Sequence, residues 1–123
     1  MPIVPLLRHE QCSNDAAMPI WRCSVFARVN VLETTSDRIA DVAQVVRDVV
    51  HPGIRGENGY VGYVVLGDPH TGKAIGVTLW ETEAAREHSD LTARRIRPRV
   101  EQQTGGTMRS VEEYDVLFFD IRS

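Results

Sequence analysis

Four stretches of the chain alternate apolar and polar residues with a period of two, which predicts a β-strand in each. The predicted strands span residues 21–32, 60–66, 73–80 and 113–121. In the third, one face of the strand is aliphatic, while the other carries a bare glycine, a hydroxyl and an indole. The two sets of positions are Ile75, Val77 and Leu79, and Gly76, Thr78 and Trp80. The first face suits packing under helices, and the second suits the lining of a pocket.

Two other stretches carry apolar or charged residues at helical spacing. Residues 36–50 have a stripe of valines and one isoleucine, and we expect this helix to end at His51-Pro52-Gly53. The second helix is predicted from Thr82, as N-cap, to about Gln103. Because a proline in a helix interior removes a hydrogen bond, we expect a break near Ser89 or before Pro98.

The segment from Gly67 to Lys73 matches the letters of a phosphate-binding loop, GxxxxGK. Such a loop needs a Ser or Thr after the lysine and a helix after that, whereas Ala74 and a strand follow here. A hairpin turn explains the segment better, with Asp68-Pro69 initiating the turn and Gly72 supplying a positive φ.

The predicted order is strand, helix, strand, strand, helix, strand, which is the ferredoxin-like βαββαβ arrangement of the α+β class. It places two helices on one face of a four-stranded antiparallel sheet, and we expect them to cover Ile75, Val77 and Leu79. The second and last strands are apolar on both faces, so the uncovered face would be an exposed apolar patch. A second copy of the chain would cover it, which predicts a homodimer.

The chain divides into an N-terminal arm, residues 1–19, and one domain, residues 20–123. The arm has three prolines and no sustained periodicity, so we expect it to be poorly ordered unless it docks on something. Cys12 and Cys23 form no metal-binding spacing, and we expect two reduced thiols and no metal. The start of the chain lacks the pattern of a secretory signal, so a cytoplasmic location is the default expectation.

Composition and charge exclude two classes of partner. The formal net charge is −3, which argues against non-specific binding to nucleic acid. The apolar runs are short, Val116 to Phe119 being typical, so no membrane span is expected.

The face of the third strand that carries Trp80 predicts a pocket inside the barrel of the dimer. Arg28, Asn30, Thr78 and Trp80 would converge there, and further aromatic residues would complete the lining. Those residues are Tyr60 or Tyr63, with Tyr114 and Phe118. An apolar, aromatic cavity with a few polar groups is typical of a small-molecule site. The alternative is a barrel that these side chains simply fill.

Three segments carry a resemblance to a known family: Phe26 to Leu32, Gly59-Tyr60-Val61-Gly62, and Val77-Thr-Leu-Trp80-Glu81-Thr82-Glu83-Ala84. Over roughly residues 22–122 the chain resembles the antibiotic-biosynthesis monooxygenase family of dimeric α/β barrels. The last segment corresponds to a W-E-S-x-x-A type motif of that family. The resemblance implies the fold, but it is a poor guide to function, because the family includes cofactor-free monooxygenases, heme-degrading enzymes and members of unknown role.

For the cofactor-free branch of that family, the resemblance implies an aromatic cage that binds a phenol or quinol, whose anion reacts with oxygen. Asn30 and Trp80 would then be catalytic, with Asn30 donating to the forming oxyanion. No cofactor is expected. The resemblance thus suggests a monooxygenase acting on aromatic, polyketide-like small molecules. The alternatives are a non-catalytic homodimer that binds a hydrophobic metabolite, and a purely structural dimer.

The heme-degrading branch, by the same resemblance, uses an Asn on the first strand and a Trp and a His on the second helix. Asn30 fits the first position, but Ser89 and Arg99 occupy the other two. His88 lies on the same helix, although a lone helical histidine is more typical of a solvated side chain. We therefore expect no heme degradation.

Overall fold

The computed structural model describes residues 12–14, 21–23 and 25–121, and it places two helical segments on one antiparallel sheet. The sheet strands are β1 (Phe26–Glu33), β2 (Tyr60–Asp68), β3 (Lys73–Trp80) and β4 (Thr107–Asp115). Their order across the sheet is β2-β3-β1-β4, and every neighbouring pair is antiparallel. The ferredoxin-like α+β prediction is confirmed, and β3 has the predicted bounds.

The first helical segment changes its hydrogen-bonding pattern along its length. It comprises a 3₁₀ turn (Ser36–Arg38), α1 (Ile39–Val45), a π turn (Val46–Val50) and α2 (His51–Ile54). The predicted end at His51-Pro52-Gly53 is therefore wrong, since the helical path continues to Ile54. The His51 N–H donates to the Val46 carbonyl, five residues back. Pro52 has no N–H to lose, and the wider turn accommodates a ring that would crowd an ordinary α-helix.

The second helical segment is the single helix α3 (Glu83–Thr104). Its predicted N-cap is confirmed, because the Thr82 hydroxyl accepts a hydrogen bond from the Ala85 N–H at 3.0 Å. The expected break is wrong, since the helix runs through Pro98. Ile96 and Val100 pack against the core on either side of this proline, and that packing offsets a local cost of about 3 kcal/mol.

The predicted first strand is split into two. Trp21–Cys23 does not join the sheet but pairs antiparallel with Cys12–Asn14, with Cys12 opposite Cys23. Part of the predicted arm is therefore a short β-ribbon. The expectations for the rest of the arm, and for the two thiols, lie outside the residues and side chains that the structure describes.

The predicted last strand is displaced along the chain. It was expected over residues 113–121, whereas β4 begins directly after the Gly105-Gly106 turn and ends at Asp115. Pairing with β1 decides this, because Thr107 lies opposite Glu33 and Asp115 lies opposite Phe26. The apolar run from Val116 onward thus lies beyond the end of β4, and Leu117 and Phe118 are exposed there.

The β2–β3 turn confirms the hairpin prediction. Gly72 has φ of 83°, and its N–H donates to the Asp68 carbonyl at 2.9 Å. A Cβ atom at this glycine would lie 2.2 Å from the Thr34 carbonyl oxygen. The segment is therefore a close-packed turn between two strands, and not a phosphate cradle.

The two faces of the sheet are exchanged relative to the prediction. The helices cover the β3 face that carries Ala74, Gly76, Thr78 and Trp80, three of which are buried with Gly76 half-buried. Ile75, Val77 and Leu79 are on the other, open face and remain half-buried. Size decides the outcome: Ala74 and Gly76 leave volume for the valines of the first helical segment, whereas bulky aliphatic side chains would not. Within the described residues, no helix is both long and apolar enough to cross a membrane.

Candidate functional site

A cavity of about 80 Å³ lies between the helix-covered face of the sheet and the two helical segments. Its apolar wall comes from both segments. The residues that build this wall are Val42, Val46, Val50, Ile96 and Val100. The cavity is therefore inside a single chain, on the side opposite the one where the pocket was predicted.

The strand register brings the polar residues of the cavity together. Arg28 of β1 lies opposite Thr78 of β3, and Asn30 lies opposite Gly76. On the other side of β3, Tyr63 of β2 lies opposite Thr78. The predicted convergence of Arg28, Asn30, Thr78 and Trp80 is found, but beneath the helices instead of inside a barrel.

Arg28 is 2% exposed and is held by residues of α3 and β4. Its Nη1 donates to the Ser89 hydroxyl at 2.9 Å, and its Nη2 donates to the Arg86 carbonyl at 2.5 Å. Glu113 on β4 is 3.5 Å from Nη2. Burial lowers the pKa of Arg28, although a guanidinium stays protonated in proteins. The site therefore contains a fixed, buried positive charge.

Asn30 contributes an unsatisfied acceptor to the same cavity. Its Oδ1 is buried and has no hydrogen-bond partner. An unpaired buried amide oxygen costs about 1–3 kcal/mol, so such atoms usually meet a ligand or water. A carboxamide also donates, so this side chain can bind a hydroxyl or an oxyanion.

Trp80 forms one wall of the cavity and is 1% exposed. Its indole N–H donates to the Thr78 hydroxyl at 3.0 Å, within the strand. The ring of Tyr60 meets it edge to face, with 5.8 Å between ring centroids. Because the indole donor is already used, Trp80 presents ring surface to a ligand and leaves the Thr78 O–H to donate.

Tyr63 lies across Gly76 on the neighbouring strand. A Cβ atom at Gly76 would be 3.5 Å from both the hydroxyl and the ring of Tyr63. Burial raises the pKa of Tyr63 to about 12, so its phenol is neutral at pH 7 and acts as a hydrogen-bond donor. No Asp, Glu or His is among the described side chains that line the cavity. The lining thus supplies cations, donors and acceptors, but no general base.

Three of the predicted ligand-binding residues lie outside this cavity. Tyr60 lines an adjoining groove with Arg47 and His51, and its ring contacts that of Trp80. Tyr114 and Phe118 are 52% and 66% exposed, which corrects their predicted place in the lining. Neighbouring residues on a strand face opposite ways, so Tyr114 faces away from the helix side, where Glu113 contacts Arg28. Phe118 follows the end of β4.

One face of α3 was missed as part of the site. The residues that line the cavity from this helix are Ser89, Ala93, Ile96, Arg97 and Val100. They are spaced i, i+4, i+7, i+8 and i+11, so helical periodicity could have found them. The arginine and the serine obscured the stripe, because such residues usually face solvent.

Sequence comparison finds related proteins that have no assigned role. No protein-family model matches the chain. It is 35% identical over 92 residues to the uncharacterized protein Rv2557 of Mycobacterium tuberculosis, covering 75% of this chain and 41% of that protein. The uncharacterized protein Rv2558 of the same organism is 34% identical over 92 residues, covering 75% of this chain and 39% of that protein. The chain therefore spans about two fifths of the length of these relatives.

Structural comparison finds the same fold in several solved proteins. The monooxygenase ActVA-Orf6 of Streptomyces coelicolor, solved with nanaomycin D, matches with a TM-score of 0.63 and 13% identity over 80% of this chain and 92% of that one. An antibiotic-biosynthesis-monooxygenase-like protein of Deinococcus radiodurans matches with a TM-score of 0.58 and 18% identity, over 80% of this chain and 99% of that one. NE2512 of Nitrosomonas europaea, a protein of unknown function, matches with a TM-score of 0.60 and 16% identity, over 80% of this chain and 95% of that one. This chain thus has the fold of the antibiotic-biosynthesis-monooxygenase-like proteins.

Proposed function

We propose that this chain is a small-molecule monooxygenase that oxidises an aromatic, polyketide-like substrate without a cofactor. The observation that carries the proposal is the cavity in which a buried, unpartnered Asn30 Oδ1 lies among Trp80, Tyr63 and the guanidinium of Arg28. Flat rings fit between apolar and aromatic walls, and the polar groups at one end orient a ring hydroxyl. The likeness in fold to a monooxygenase supports the same proposal.

Each polar group has a role in this proposal. Asn30 accepts from the substrate hydroxyl and donates to the oxygen once it is deprotonated. Tyr63, kept neutral by its raised pKa, donates to a second substrate oxygen. Trp80 stacks on the ring and fixes its plane. Asn30 and Trp80 therefore keep their predicted roles, with Trp80 acting through its ring and not through its N–H.

The proposed chemistry draws its electrons from the substrate. Loss of a proton gives an anion that transfers electrons to O₂, and a new C–O bond forms at the ring carbon. The O–O bond then breaks, one oxygen stays in the substrate as a quinone carbonyl and the other leaves as water. The two hydrogens of this water come from the ring hydroxyl and from the oxidised ring carbon. No external reductant enters this balance.

The cavity lining offers a cation in place of a general base. A buried positive charge near a hydroxyl lowers its pKa, because it favours the charged form. Arg28 would therefore promote ionisation of the substrate, with solvent taking the proton. This arrangement favours substrates that are already acidic, such as anthrone-like and polyhydroxylated rings.

Oxygen uptake by the metal-free protein tests this proposal. With an anthrone or a naphthalenediol as substrate, we expect enzyme-dependent O₂ consumption and one quinone per O₂. Asn30→Ala should reduce kcat by about 10²-fold, the typical effect of one oxyanion donor. Gln44→Ala, on the exposed face of the first helical segment, is the control and should retain the rate. Equal rates in Asn30→Ala and the parent protein would contradict the proposal.

The alternative is a non-catalytic protein that binds a hydrophobic metabolite in the same cavity. The lack of a general base among the described lining residues favours it as much as it favours substrate-driven oxidation. Ligand binding without oxygen uptake would establish this alternative.

Heme degradation is not part of the proposal. Ser89, at the position implied for a Trp, is 1% exposed and hydrogen-bonded to Arg28, while Arg99 is exposed. Titration with hemin should give no sharp absorption band of bound heme and no turnover with a reductant. Tight stoichiometric binding with ring cleavage would contradict this expectation, and His88→Ala would then be the next variant to test.

The proposal includes a homodimer built through the open face of the sheet. That face presents half-buried or exposed aliphatic side chains from three strands. They are Val29, Val31, Val64, Leu66, Ile75, Val77 and Leu79. Apolar faces of this extent are rare on monomers. A second copy seated there would leave each cavity within its own chain, so the dimer supports the fold without completing the site.

A further inference from the structure

The polar end of the cavity contains a second arginine that the proposed chemistry does not use. Arg97 of α3 lines the cavity, and its Nη2 donates to Asp90 Oδ1 at 3.1 Å. Arg28 Nη2 lies 3.9 Å from the same oxygen. A shared carboxylate oxygen therefore holds the two guanidinium groups together at one end of the cavity.

Each of these arginines has an unused donor. Nε of Arg28 and Nε of Arg97 are buried with no hydrogen-bond partner. Arg28 is nine-tenths buried or more, and its two terminal nitrogens are already committed to Ser89, Arg86 and nearby carboxylates. A buried guanidinium N–H without an acceptor is costly, so the site is built for an oxygen atom that the described residues do not supply.

The charges around the cavity do not cancel. The linked ion pairs at this end join four guanidinium groups to three carboxylates: Arg28, Arg86, Arg94 and Arg97 with Glu83, Asp90 and Glu113. None of the carboxylates lines the cavity, whereas Arg28 and Arg97 do. The excess positive charge is therefore on the cavity side, where a low dielectric strengthens its attraction for an anion.

We propose that this end of the cavity is a carboxylate subsite, and that the ligand is an aromatic acid whose carboxylate binds at the Nε donors of Arg28 and Arg97. The aromatic ring then lies against Trp80 and the valine wall. The inference rests on the proposed function, in that it names the class of substrate for the same cavity.

The size of the cavity limits how much of the acid it can hold. A cavity of about 150 Å³ holds benzene, whereas this one has about 80 Å³. It therefore holds the carboxylate and only part of a ring, and the rest of the ligand extends into the adjoining groove, which shares Val46, Tyr63 and Val65 with the cavity.

Benzoate and benzamide form the matched pair of probes, because they share size and shape and differ in charge. Isothermal titration at pH 7 should show benzoate binding at least about tenfold more tightly, the worth of one charge-assisted hydrogen bond. Arg97→Met should remove that preference. Arg94→Met is the control: Arg94 also pairs with Asp90, at 2.7 Å, but is exposed and does not line the cavity.

Each outcome decides the proposal. A preference lost in Arg97→Met and retained in Arg94→Met supports it. Equal affinity for the two probes, equal loss in both variants, or no measurable binding of benzoate would overturn it, with water satisfying the Nε donors. Arg28 is not varied, because its buried guanidinium donates to Ser89 and to the Arg86 carbonyl, and its loss would endanger the fold.

The same experiment separates this inference from the proposed monooxygenase activity. Benzoate is not oxidised, so its binding reports on the carboxylate subsite alone, whereas oxygen uptake reports on the chemistry. A benzoate preference without any quinone formation would leave the subsite in place and reject the monooxygenase. Oxidation of neutral quinols with no preference for benzoate would support the monooxygenase and reject the carboxylate subsite.

Discussion

The two faces of the sheet differ in residue size, polarity and burial, although the same strands build both. On β3 the covered face has Ala74, Gly76, Thr78 and Trp80, and the open face has Ile75, Val77 and Leu79. The more hydrophobic face is the one left uncovered by helices. Helices with a valine stripe need room, whereas a flat aliphatic surface suits a second sheet. An aliphatic strand face therefore does not by itself indicate the side on which helices pack.

The same comparison holds for function. The cavity, the buried arginines and the polar atoms without a hydrogen-bond partner are all on the covered face. The open face presents aliphatic side chains from three strands. The proposed chemistry and the proposed association therefore lie on opposite sides of one sheet, and variants on each side should affect one property without the other.

The largest effect is expected from Trp80→Ala on the covered face. Loss of a large, fully buried ring should lower the free energy of unfolding by about 3–5 kcal/mol. Trp80→Phe should keep the fold and weaken ligand binding, because ring area is lost and Thr78 loses its donor. Chemical denaturation and ligand titration on both variants measure these effects. A change below 1 kcal/mol for Trp80→Ala would contradict its place in the core.

On the open face, Leu66→Glu should dissociate the proposed homodimer. Leu66 is 55% exposed in the single chain, so a folded monomer tolerates the carboxylate, whereas a buried interface would pay several kcal/mol, on the order of 2–5, for it. Light scattering at micromolar concentration should fall from about twice the 13.8 kDa chain mass to the chain mass itself.

Gln44→Glu adds the same charge to an exposed position on the other side of the molecule and serves as the control. It should leave the mass unchanged. If the unsubstituted protein is itself monomeric under these conditions, the assignment of association to the open face is wrong.

Gly76→Ala should separate ligand binding from stability on the covered face. The added methyl group would contact Tyr63 at 3.5 Å, an ordinary distance, so stability should change by less than about 1 kcal/mol. The same methyl group narrows a small cavity, and ligand affinity should fall about tenfold, near 1.4 kcal/mol. Gly56→Ala meets nothing within 4 Å and is the matched control for both measurements. Unchanged affinity in Gly76→Ala would place the ligand elsewhere.

The smallest effect concerns the pH dependence of stability. Burial raises the pKa of Tyr63 from 10.0 to about 12, so the folded protein holds this proton more tightly than the unfolded chain. The resulting stabilisation is complete below pH 10 and is lost as the pH rises through 12. Denaturation curves between pH 9 and 12 should show this decline, and Tyr63→Phe should reduce it. An identical decline in Tyr63→Phe would assign it to other groups.

Local sequence patterns predicted the secondary-structure elements correctly where tertiary packing favours the same structure as the local residues. The bounds of β3, the Thr82 cap and the positive φ of Gly72 all follow from residues within one turn or strand. The end of the first helical segment and the continuity of α3 did not follow from the sequence. The π turn before Pro52 accommodates its ring, and packing on either side of Pro98 offsets the cost of that proline. Propensity describes a segment in isolation, while burial acts on the whole domain.

The candidate site was predicted in its composition but not in its position. Alternation placed Arg28, Asn30, Thr78 and Trp80 on one face, since a strand leaves no other arrangement. Phe118 was misplaced because an apolar run has the same alternation whether it pairs in a sheet or continues beyond the end of a strand. Tyr114 is paired in β4, but it faces away from the side on which Glu113 contacts Arg28. Ser89 and Arg97 were missed because their burial depends on Arg28, 61 and 69 residues away in the chain.

The sequence alone determined the order of strands and helices, the ferredoxin-like arrangement, and which side chains share a face, because periodicity and turn chemistry are local. Only the tertiary structure decided which face the helices cover, where β4 pairs, and that two arginines meet beside Asp90. These outcomes depend on volume and charge summed over segments that are distant in the chain. A pattern of apolar and polar positions records neither quantity.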